Sequence, residues 1–165
     1  MLIEGNDGVT VSLRPARWQF PADAGAWDDR WLVIDGTVNL GDKAWSFTDP
    51  CLLIEEAHEL AIWLRNAAQD RIASSQTAAG EQVEPSLSFM EPLLGFSVTA
   101  HRDDELVLHV ELAAEAAPPW LHVANPHSDQ YTVELRLRSD ELLAAATAWS
   151  QQLDALPSRT FARTD

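Results

Sequence analysis

The feature that most constrains this chain is a change of period inside one stretch, Trp27 to Ala68, which reads WDDRWLVIDGTVNLGDKAWSFTDPCLLIEEAHELAIWLRNAA. Through Phe47 its apolar residues alternate, as a half-buried strand requires. Leu32, Ile34, Val38 and Leu40 share one face, and Trp45 and Phe47 share a face on the return. Between them, Gly41-Asp42 fits a two-residue type II′ connection with glycine first. Asp49-Pro50 ends or bulges the second strand, because proline has no N–H to give a ladder. The spacing then becomes helical, with Leu53, Ala57, Leu60, Ala61, Leu64 and Ala68 on one stripe and Glu55, Glu56, Glu59 and Arg65 off it. Asp49 with Pro50 as the first helical residue is one possible start. A start near Ile54 is favoured, since it sets the glutamate pair in the first turn, against the positive end of the helix dipole. A hairpin and an adjoining amphipathic helix bury their apolar faces on each other, which points to an α+β fold.

The same order recurs along the chain. Met1 to Pro15 reads as a hairpin turning at Gly5-Asn6-Asp7-Gly8, and Pro15 and Pro21 bracket a loop carrying Trp18 and Phe20. The polar, alanine-rich segment 69–85 is expected to be a surface linker between two strand-helix halves. Alternation resumes at Leu87 and Phe89, at Leu94 to Ala100, at Leu106 to Leu112 and at Tyr131 to Leu137. A second helix is predicted from Ser139, a good N-cap, to about Ala155, stopped by Pro157. The expectation is a single α+β domain over residues 1–165, in the order strands, helix, strands, helix. About eight strands form a mostly antiparallel, strongly twisted sheet, or two, with both helices packed on it. The two strand-to-helix junctions share a logic, but their sequences are too different to establish a repeat.

Charge limits the partners. The net charge is −15, from 26 acids against 11 bases, and Lys43 is the only lysine. Such a surface repels nucleic acid and anionic membranes and attracts basic proteins. Taken alone, the charge is better read as what keeps an ordinary protein soluble. Cys51 is the only cysteine, so no internal disulfide is available. With no leader pattern and no long apolar run, a cytoplasmic location is expected.

Catalytic constellations are thin. His58-Glu59 starts like a zincin motif, but Ile62 stands where the second ligand belongs. His122, His127 and Asp129 share a loop, and a polar surface loop is the simpler reading of them. Cys51 lies in an apolar run and reads as a small buried side chain. No phosphate-binding or nucleophile-elbow motif occurs, and no cofactor or metal is expected. The exposed features that remain are acids in turns and aromatics in loops. Asp28 and Asp29 precede the central strand, Asp103, Asp104 and Glu105 sit at a hairpin tip, and Trp18, Trp27 and Trp120 sit in loops. Asp28, Asp29, Asp103, Asp104, Glu105 and Trp120 are the candidate contacts for a basic partner.

The order of features also resembles a known family. A Trp-led strand, a short turn, W-S-F-x-D-P-C-L and an E-A-x-E-L-x-x-W-L helix are similar to small actinobacterial WapI-like immunity proteins. The E-P-x-L-x-F-x-x-P stretch from Glu84 to Pro92, Pro118-Pro119-Trp120 and the Leu-rich terminal helix fit the same pattern. The resemblance implies a cytoplasmic, non-enzymatic antitoxin that binds a polymorphic toxin, of nuclease type in many cases. It transfers no contact residue, because the matching positions are structural. Two other readings follow from the residues alone: a small enzyme with a site of scattered His and Asp/Glu, and a homodimeric accessory domain.

Overall fold

Residues 1–22, 27–75, 85–121 and 129–159 are described by the computed structural model. The first half runs β1 (Leu2–Glu4), β2 (Thr10–Trp18), β3 (Trp31–Asn39), β4 (Ala44–Leu53) and α1 (Ile54–Ala68). The second runs β5 (Leu87–Ser88), β6 (Leu94–Arg102), β7 (Glu105–Ala113), β8 (Gln130–Arg138) and α2 (Ser139–Asp154). Each set of four strands forms its own sheet, antiparallel throughout, with every strand beside its sequence neighbour. The α+β class, the eight antiparallel strands and the strands-helix-strands-helix order are therefore as the sequence implies, with the strands divided between two sheets.

Both helices start directly from a strand. Leu53 and Arg138 are extended at the junctions, with φ −73° and ψ 154° for the first and φ −83° and ψ 153° for the second. Neither junction has a side-chain N-cap; the carboxylate three residues on reaches back instead. Glu56 Oε2 accepts the Leu53 N–H at 2.8 Å, and Glu141 Oε2 accepts the Arg138 N–H at 2.8 Å. Ser139, expected as the cap, is thus the first helical residue, and its Oγ is buried without a partner. The shift follows from Glu141, whose reach to the preceding strand fixes the first turn one residue earlier.

Two bulges shape the first sheet; the one on β2 corrects the sequence reading, and the one on β4 is the bulge that Asp49-Pro50 allowed. Pro15 pairs with Ile34 and Arg17 with Val33, so Ala16 is an extra residue and β2 runs on to Trp18, where a loop was expected from Pro15. On β4 the pairing passes from Pro50↔Val33 to Leu52↔Leu32, leaving Cys51 as the extra residue. Proline is tolerated there because β4 is an edge strand and the ladder is already broken.

The helices hold the sheets together. α2 lies against β1 and β2 as well as its own β8, and α1 sends Trp63 to within 6.0 Å of Phe96 on β6. Between the helices, the Trp149 indole N–H donates to the Ala57 carbonyl at 2.7 Å. The sheets also meet at their margins. In the turn after β1, Asn6 N–H donates to Arg136 O on β8 at 2.6 Å, and Trp45 Nε1 donates to Ala116 O at 2.9 Å. One buried apolar cluster consequently runs through both sheets and both helices.

Candidate functional site

The sequence-predicted contact residues occupy three places. Asp28 and Asp29 lie on one 3-10 turn before β3 (Asp28–Arg30). Asp28 faces solvent, whereas the Asp29 side chain is only 16% exposed and lies 3.8 Å from the Arg159 guanidinium. Asp103, with φ 54°, Asp104 and Glu105 form the exposed β6–β7 turn, where Asp104 pairs with Arg138 at 2.7 Å. Trp120 is half-buried, edge-on to Trp45 at 5.3 Å, with Lys43 Nζ 5.5 Å from its ring centre. Trp45 also touches Tyr131 at the start of β8, so Trp120 and Asp104 mark opposite ends of that strand. Trp27 is 54% exposed, and Trp18 is packed on the core with its indole donating to Pro157 O.

Asp28 belongs to a cleft the sequence did not reveal. The cleft, of about 430 Å³, lies between the halves and carries the carboxylates of Asp28, Asp49, Glu91 and Glu115, with Phe20, Trp31 and Leu93 between them. Among the described residues no basic side chain lines it. Partial burial, then the negative charges of Glu115 and Glu91, raise the Asp49 pKa. A carboxylate that resists ionisation beside like charges gains most from an incoming cation. Asp49 and Glu91 each stand before a proline, Asp49 within β4 and Glu91 in the turn before β6. That is the only local signal they carry, and it does not say that they converge.

Other polar groups cluster on the outer face of the second sheet. Ser97 is paired in register with His109, and His109 with Glu134, whose Oε2 lies 3.4 Å from His109 Nε2. Ser97 Oγ and His109 Nδ1 are both buried without a hydrogen-bond partner, so the nucleophile-to-base contact that acyl transfer uses is not made. Glu111 is buried, its pKa raised by desolvation against the opposing hydrogen bond from Gln130. Cys51 is fully buried and its thiol is pushed up to about 12, chiefly by desolvation. His58 is exposed on α1. His122 and His127 lie outside the described residues, and Asp129 is exposed with its carbonyl accepting the Ala114 N–H. Among the described residues no His, Cys, Asp and Glu side chains group so as to hold a metal, and no helix is long and apolar enough to cross a membrane.

Fold and site together define an acidic α+β protein with a carboxylate-lined cleft between two four-stranded sheets. The chain belongs to the immunity protein WapI-like family, whose model matches residues 1–157. No curated protein and no solved structure matches it. Membership identifies it as an immunity-type protein, a class whose work is to bind a cognate toxin.

Proposed function

We propose that this protein neutralises a cognate toxin by stoichiometric binding, without catalysis, in the cytoplasm where the toxin acts. The observation that carries the reading is the cleft: four carboxylates and, among the described residues, no base, on a chain of net charge −15. A basic toxin domain, such as a nuclease, would be steered to that surface at long range, while nucleic acid and anionic membranes would be repelled. Phe20, Trp31 and Leu93 supply apolar contact between the charges, as the centre of an interface needs. Asp28 contributes from within the cleft. Asp29, Asp103, Asp104, Glu105 and Trp120 would act at its margins or on a second contact area.

The test is a search beside this gene for a toxin-like domain and co-expression with it, followed by purification and light scattering. The expected result is a 1:1 complex that suppresses toxicity, with an association rate that falls steeply as salt rises. A toxin that stays active and elutes separately at low salt and micromolar concentration would overturn the reading. So would suppression at strongly substoichiometric amounts, which is the mark of a catalyst.

A further inference from the structure

Beyond α2 the chain turns back to the first sheet and seats Arg159 there, with its side chain only 11% exposed. Its Nη1 donates to Asp29 O at 3.1 Å and its Nη2 to Phe20 O at 2.6 Å. The guanidinium carbon lies 4.6 Å from the Trp18 ring centre, and Nη1 lies 3.8 Å from the Asp29 carboxylate. Two carbonyls set for a planar fork, an aromatic face and a carboxylate suit a guanidinium. An ammonium, as a compact point charge, cannot satisfy all of them at once.

Two observations separate the seat from its occupant. Trp18, Phe20 and Asp29 fall inside the residues matched by the family, 1–157, whereas Arg159 falls outside them. The seat is also continuous with the acidic cleft, which includes Phe20 and Asp28. A basic segment lying along the cleft would therefore meet the seat at Phe20.

We propose that this seat is an arginine-recognition pocket for the basic partner, and that Arg159 fills it as an internal stand-in until a partner arginine displaces it. The proposal rests on the binding reading above and names the residue type the partner presents. If Arg159 holds the pocket about nine-tenths of the time, an external arginine binds about ten-fold more weakly than to the open pocket.

The probe is N-acetyl-arginine amide, titrated into the full chain and into the Arg159→Ala and Arg159→Lys variants. The readout is the Trp18 indole N–H resonance, assigned with Trp18→Phe, while the other indole signals report on folding. Both variants are expected to bind the probe about ten-fold more tightly than the parent chain. N-acetyl-lysine amide should give no saturable shift, and Asp29→Asn added to Arg159→Ala should weaken the arginine probe again. Equal affinity in parent and variants, or an equal response to the lysine probe, would overturn the proposal. If Arg159→Ala disturbs the other indole signals, the Arg159→Lys comparison decides. No toxin enters this experiment, so its failure leaves the toxin-binding reading standing, and a failed co-purification leaves the pocket standing.

Discussion

Gly36 shows how tightly single positions are specified. It pairs across the sheet with Phe47, and a Cβ built on it would lie 2.1 Å from that ring. Gly36→Ala should therefore destabilise the protein by about 1–3 kcal/mol in urea unfolding, and adding Phe47→Leu should recover part of the loss. Cys51 behaves oppositely, as a group made inert by its surroundings. With its thiol pushed up to about 12, it should not react with a disulfide reagent at pH 8 until denaturant opens the fold. Rapid labelling of the native protein would contradict the bulge geometry that buries it. Asp49 carries a pH signature. Its folded pKa lies above the unfolded value, so as pH rises the unfolded chain gives up this proton first and folding loses stability across that window. Asp49→Asn should consequently stabilise the protein at pH 7. The gain should vanish below the ordinary aspartate range, about pH 4, and the proposed toxin binding should weaken.

The strand-helix junctions carry the element-scale argument. Each helix is capped from its own third residue, but the two carboxylates differ in workload. Glu141 caps α2 by accepting Arg138 N–H, whereas Glu56 also accepts the Met90 N–H at 2.7 Å and so ties α1 to the second half. Loss of a cap costs about 0.5–2 kcal/mol, and Glu56→Ala should fall at or above the top of that range, with Glu141→Ala nearer the bottom. Chemical denaturation of the two variants checks the order, and equal losses would show that the Met90 contact contributes nothing. The elements themselves were largely legible. Alternation placed β3 and the two strands of the second hairpin, and the 3.6 spacing placed α1 at Ile54–Ala68. The errors fell at Pro15 and Ser139. A proline read locally is a stop, yet a bulge at Ala16 carried the strand past it. A serine read locally is a cap, yet the longer reach of Glu141 displaced it.

At the scale of the whole molecule, the helices make two similar halves into one cooperative body. Trp149 is fully buried between them and donates a second hydrogen bond to Ala57 O, so Trp149→Phe should cost about 1–3 kcal/mol through the lost bond and the space the smaller ring leaves. Because the buried cluster is continuous, the two halves should still melt in one transition by circular dichroism and fluorescence. Separate transitions would show that the sheets unfold independently. Family membership was legible in the order of structural residues, since those residues specify the fold. The cleft was not. Asp49, Glu91 and Glu115 are far apart in the chain, and nothing near any one of them indicates the others. Of the predicted contacts, Asp28 and Asp29 part company on a single turn, one facing the cleft and the other held by Arg159.

By itself the sequence determined what short-range physics controls: side-chain period, turn chemistry, antiparallel neighbours joined by short turns, the acidic balance and the class. The tertiary structure decided what depends on contacts between distant residues. Those are the division into two sheets, the helices that bridge them, the gathering of carboxylates at their junction and the seating of Arg159 on Trp18. Each of these places side chains by how two separately formed surfaces meet. That meeting depends on shape over the whole buried core, which no local window of residues records.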